Sequence, residues 1–65
     1  MKIINQVKKL RLKRNITQEQ LAVEVKVSRQ TIIAIEKGNY VPSLLLAMEL
    51  AHYFKLSVED IFSNS

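Results

Sequence analysis

Thr17-Gln18-Glu19-Gln20-Leu21-Ala22-Val23-Glu24-Val25-Lys26-Val27-Ser28-Arg29-Gln30-Thr31-Ile32-Ile33-Ala34-Ile35-Glu36-Lys37-Gly38 is the stretch that decides the fold. Thr17 and Gln20 stand at the spacing of a capping box, in which the Thr hydroxyl accepts a backbone N–H and the Gln side chain reaches back to the cap's own N–H. A helix from about Gln18 to Val25 follows. Ser28 is placed to cap a further helix running through Lys37, and Gly38 suits the left-handed position just past its end. Only Lys26 and Val27 separate the end of the first of these helices from the Ser28 cap, so the chain must cross sharply between them. Leu21, Val25, Val27, Ile32 and Ile35 then face one shared core. Ala22, with a single methyl, permits close approach of the two helices.

Two helices joined in this way form a helix-turn-helix, whose second member is free to present its outer face. An ordinary helical hairpin of the same spacing is the alternative. On the N-terminal side, Val7, Leu10 and Ile3 recur at helical spacing among Lys8, Lys9, Arg11, Lys13 and Arg14, which predicts an amphipathic first helix ending near Asn15. On the C-terminal side, Ser43 after Pro42 caps a fourth helix through Phe54. Ser57 with Asp60 repeats the capping-box spacing for a short fifth. The expected architecture is all-α, five helices in one domain spanning residues 1–65.

Composition agrees with that expectation. A chain of 65 residues has room for one hydrophobic core, so a separate ligand-sensing or catalytic domain is not expected. The apolar fraction of 48% is too high for disorder, and one Gly and one Pro are too few for many short strands. Without cysteine, neither disulfides nor a thiolate zinc site can stabilise the domain, which leaves helix packing. Leu44 to Met48 is the longest apolar run, far short of a membrane span, and no apolar segment follows the N-terminal charges. A cytoplasmic protein without a membrane association is expected. Residues 1–37 carry nine cations against three anions, whereas residues 38–65 carry one cation against three anions. Such asymmetry suits one face directed at a polyanion and another directed elsewhere, although Lys-rich helices also serve simply to keep a small domain in solution.

The segment from Thr17 to Gly38 resembles the Cro and phage-repressor type of helix-turn-helix, the XRE-like transcriptional regulators. The segment from Pro42 through Ser57-Val58-Glu59-Asp60-Ile61-Phe62 is similar to the same family's fourth and fifth helices. The resemblance is strongest to the compact single-domain bacterial subgroup that carries a Ser-Arg-Gln-Thr-Ile recognition segment. It implies a sequence-specific double-stranded-DNA-binding regulator, most simply a repressor, that enters the major groove with its third helix. An antitoxin or adaptor that uses the fold to bind a protein is the alternative. Two departures stand out: the family usually has Gly where this chain has Lys26 and Lys55, and a left-handed Lys costs roughly 1 kcal/mol relative to Gly.

The N-terminal half of a recognition helix faces bases, which makes Arg29, Gln30, Ile33 and Ala34 the base-reading candidates. Gln pairs with two atoms of adenine, Arg with two of guanine, and an exposed Ile suits a thymine methyl. Gln18, Thr31, Lys37, Asn39 and Tyr40 are the DNA-backbone candidates, Gln18 because it resembles the family's backbone-contacting Gln at a helix start. Arg11 and Glu36 match a pair that in the family bridges the first and third helices. Catalysis is not expected, since Ser, His and Asp occur without a nucleophile elbow or Gly-rich phosphate loop, and the single His with Glu49 is no metal site. No metal or cofactor is expected. The fourth helix has more apolar residues than one face can hide, which points to a homodimer on a palindromic operator. Leu44, Ala47, Leu50, Ala51 and Phe54 are assigned inward, and Leu45, Leu46, Tyr53, Ile61 and Phe62 are the interface candidates.

Overall fold

The computed structural model describes residues 3–64. Its elements follow in the order β1 (Ile3–Asn5), α1 (Val7–Lys13), α2 (Gln18–Glu24), α3 (Arg29–Glu36), α4 (Leu44–Phe54), α5 (Val58–Ile61) and β2 (Phe62–Asn64). The five expected helices are present, but the fold is mostly helical rather than all-α, because the two ends of the described chain pair as antiparallel strands. Ile3 lies opposite Asn64, Ile4 opposite Ser63 and Asn5 opposite Phe62. Ile3 is therefore a strand residue and not the first apolar position of a helix. Its β-branched neighbour Ile4 favours the same extended backbone. The change to helix comes at Asn5, whose side-chain oxygen accepts the Val7 N–H at 3.2 Å.

Local capping determines where the other helices begin. Thr17 Oγ1 accepts the Gln20 N–H at 3.0 Å while Gln20 Oε1 accepts the Thr17 N–H at 2.8 Å, the expected reciprocal pair. Ser57 and Asp60 repeat it at 3.1 and 3.2 Å. Ser28 and Ser43 each accept one N–H from the third residue beyond. Helix ends are equally explicit: Asn15, Lys26 and Lys55 have φ of 59°, 63° and 58°, and Gly38 has 79°. Both lysines thus occupy the left-handed positions at which the family resemblance would place Gly.

The core gathers Val7, Leu21, Ile32, Ile35, Leu50 and Ile61, each at most 1% exposed, with one or more residues from every helix. Two adjacent rows of α4 face it, Leu46-Leu50-Phe54 and Ala47-Ala51, each row stepping by four residues. The inward assignment of Leu44 is corrected: it lies on the neighbouring Leu44-Met48 row and is 74% exposed. Leu46, expected among the surplus, is 6% exposed. Both corrections have one cause: the flank of α4 that carries Leu46 packs into the core with Ile32 and Ile35 of α3, whereas Leu44 lies at the rim of a shallow groove. No helix among the described residues is long and apolar enough to cross a membrane.

Candidate nucleic-acid interface

The α2–α3 crossing is closed by backbone hydrogen bonds that require the left-handed Lys26. Val27 N–H reaches back to the Ala22 carbonyl at 3.0 Å and Lys26 N–H to Val23 at 3.3 Å, satisfying carbonyls that the end of α2 leaves open. Val27 then packs on the core, and Ser28 starts α3 in a new direction. Helix α3 buries Ile32 and Ile35, and this orientation leaves Arg29 and Gln30 exposed at its N-terminal end. Thr31 is half-buried, with its hydroxyl 3.0 Å from Ser28 Oγ. Ile33 and Ala34 are also half-buried, so the outward placement expected for Ile33 holds only in part.

The C-terminal end of α3 is held by a charged network. Arg11, only 8% exposed, donates through Nε to Glu36 Oε2 at 2.7 Å and through Nη2 to Oε1 at 3.2 Å. Its Nη1 binds the Ile16 carbonyl at 2.9 Å, and Gln18 Nε2 donates to Glu36 Oε1 at 3.0 Å. One carboxylate on α3 thereby receives donors from α1 and α2. Two-pronged Arg–carboxylate geometry specifies orientation as well as distance, so the three helices are locked at a defined relative angle. No buried side-chain polar atom among the described residues lacks a partner. Past α3, Gly38 N–H binds Ile35 O at 2.9 Å and Asn39 N–H binds Ala34 O at 3.0 Å, which turns the chain so that Lys37, Asn39 and Tyr40 project into solvent.

Helix α3 thus carries a solvent-facing Arg-Gln pair at its start and is clamped from behind at its end. Among known proteins, the Helix-turn-helix family model (HTH_3) matches residues 7–61. The chain belongs to the XRE-type helix-turn-helix family. It is 57% identical over 89% of its length to an uncharacterized HTH-type transcriptional regulator of Methanocaldococcus jannaschii, covering 88% of that protein. An uncharacterized HTH-type transcriptional regulator of Bacillus subtilis is 52% identical over 89% of this chain and 88% of its own. The transcriptional repressor RstR of the cryptic phage CTXphi from Vibrio cholerae is more distant, 30% identical over 94% of this chain and 55% of its own.

Within this helix-turn-helix regulator the remaining candidates separate clearly. Gln18 is half-buried and its amide is committed to Glu36, so in the free protein it belongs to the orienting network, and only its backbone is positioned at a helix start. Among the interface candidates, Leu46 and Ile61 are corrected: both are core residues, Ile61 because α5 turns it inward beneath β1. Leu45 is 72% exposed, and Phe62 is half-buried on β2. Tyr53 is half-buried too, with the Arg14 guanidinium 4.9 Å from its ring centroid and Phe54 edge-on at 5.1 Å. Val41, Leu44 and Met48, respectively 69%, 74% and 55% exposed, form an apolar surface that the sequence reading did not assign. Its signal was present in the four-residue rows of α4, but choosing between them required knowing which flank α3 covers.

Proposed function

We propose that the protein is a sequence-specific repressor that binds double-stranded DNA as a homodimer and inserts the N-terminal half of α3 into the major groove. Arg29 and Gln30 contact base edges there, while Ile33 and Ala34 sit against the groove floor. Thr31, Lys37, Asn39 and Tyr40 meet the sugar-phosphate strand with the backbone at the start of α2. The observation that carries this reading is the division of α3 into a solvent-exposed Arg-Gln end and an end clamped through Glu36 to Arg11 and Gln18. A fixed helix presenting bidentate side chains is what discrimination among bases needs, since a mobile one would spend its contacts on ordering. Repression follows from occlusion of the promoter, and the distant phage repressor relative supports that sense of regulation.

The second copy is assigned to the shallow groove between the loop before α4 and the terminal sheet, lined by Ile3, Val41, Leu44, Ala47, Val58 and Phe62. Exposed Leu44 and Val41 form a ridge beside that groove, so a two-fold axis can seat each copy's ridge in the other's groove. The molecule measures 30 × 23 × 21 Å, so two copies side by side are on the scale of one DNA turn, roughly 34 Å, the half-site spacing a two-fold helix-turn-helix dimer requires. Selection of bound duplexes from a random pool tests the proposal. A palindromic sequence whose preference at one base pair relaxes in Gln30→Ala is expected. Binding without sequence preference, or equal losses from Gln30→Ala on selected and random DNA, would reject base reading by α3. Retention on a protein partner with no salt-dependent affinity for duplex DNA would instead support an adaptor or antitoxin.

A further inference from the structure

We infer that Asn5 is a positioning residue for DNA reading, tying the terminal sheet to the end of the recognition helix; this rests on the proposed function of α3. The Asn5 side chain uses both of its ends. Its oxygen accepts the Val7 N–H at 3.2 Å, and its amide donates to the Ile35 carbonyl at 2.9 Å, thirty residues away along the chain. Ile35 is fully buried, and its carbonyl is already the acceptor for Gly38 N–H at 2.9 Å, so Asn5 fills the second lone pair of a group in the last turn of α3. The next residue, Glu36, is the one held by Arg11 and Gln18. Consecutive residues of the recognition helix are therefore gripped from two sides, one from α1 and α2 and the other from β1.

What distinguishes the Asn5 contact is where it leads. Asn5 stands opposite Phe62 in the strand register, and the following Gln6 N–H binds the Ile61 carbonyl at 2.9 Å. Ile3 and Phe62 line the groove assigned to the second copy. A single side chain thus connects the sheet that carries the dimer groove to the helix that reads bases. Its task is to hold α3 at one angle to the two-fold axis, which sets the spacing between the two half-sites.

Asn5→Asp and Asn5→Ser test this, because each keeps an oxygen for the Val7 N–H and removes the amide that reaches Ile35. Three measurements are made on wild type and both variants: sedimentation mass, amide hydrogen exchange, and affinity for the selected palindrome, for palindromes with one base pair added or removed at the centre, and for random duplex at one salt concentration. Both variants are expected to remain folded and dimeric with random-duplex affinity unchanged. Preference for the selected palindrome over random DNA should fall about three- to tenfold, the range one neutral hydrogen bond supports. Preference for the native central spacing should flatten, and exchange at Lys37, Gly38 and Asn39 should quicken. Wild-type selectivity with an unaltered preference and spacing profile in both variants would overturn the role of Asn5 alone. A wild type that does not prefer any sequence would overturn the DNA-reading function and this role together.

Discussion

Lys26 and Lys55 show how a single residue can be kept against its own backbone preference. Both have left-handed φ, and both lie where the turn geometry needs that conformation to satisfy carbonyls at a helix end. An L-residue there carries a steric cost that Gly does not. Lys55→Gly is expected to raise stability by about 1 kcal/mol in urea denaturation, and Lys26→Gly by a similar amount. Only the Lys26 substitution removes a cation from the helix-turn-helix, so it alone should also weaken binding to DNA of any sequence. Arg11 and Glu36 make the opposite case, a charged pair whose side chains are 10% and 4% exposed. Arg11→Ala or Glu36→Ala leaves a buried charge without its partner and should cost about 3 to 5 kcal/mol by denaturant titration. The joint Arg11→Met, Glu36→Leu variant should lose less than either single variant, since no charge remains to be desolvated.

At the scale of elements, helix starts were the most legible feature of the sequence. Ser28, Ser43, and the Thr17-Gln20 and Ser57-Asp60 pairs act on backbone within three residues, so local spacing contains the whole interaction. Ser28→Ala should lower stability by about 1 kcal/mol, read as a shift in the denaturation midpoint, because it exposes N–H groups at the start of α3. The strands were not legible. Three residues at each end of the chain have no periodicity of their own, and what defines β1 is a partner some sixty residues away. The orientation of α4 was half legible: its apolar rows were evident, but Leu44 and Leu46 exchanged roles because helical spacing cannot say which flank a neighbouring helix covers. In the candidate site, Arg29 and Gln30 are where the recognition-helix pattern puts them. Asn5 escaped notice because its partner carbonyl belongs to an element that only the folded chain brings near.

At the scale of the whole molecule, charge is unevenly distributed along the chain. Nine of its ten Lys and Arg lie in residues 1–37, whereas the exposed apolar residues Val41, Leu44 and Met48 lie in the slightly acidic remainder. Association with duplex DNA should therefore weaken steeply with salt, log affinity falling by about 0.9 per log unit of salt for each phosphate neutralised. Titration at several salt concentrations measures that slope, and a flat profile would remove the electrostatic basis of binding. Leu44→Glu should shift the sedimentation mass toward a monomer and reduce affinity for the palindrome much more than affinity for a single half-site. Leu45, an interface candidate from the sequence, lines a different groove with Val25 and Lys26, so Leu45→Glu separates the two placements: an intact dimer is expected with the second copy at Leu44, and dissociation would move the interface to Leu45.

The pairing of Ile3–Asn5 with Phe62–Asn64 also has a kinetic meaning. The helices dock through contacts of short to middling separation, such as Arg11 with Glu36, whereas the sheet must close a loop of nearly sixty residues. Loop-closure entropy makes such a contact late to form and early to open. The groove proposed for a second copy and the Asn5 grip on α3 both involve these strands. If the protein pairs as proposed, a chain that is still folding has α3 in place before its pairing surface, and completes that surface only when Ile3–Asn5 has met Phe62–Asn64.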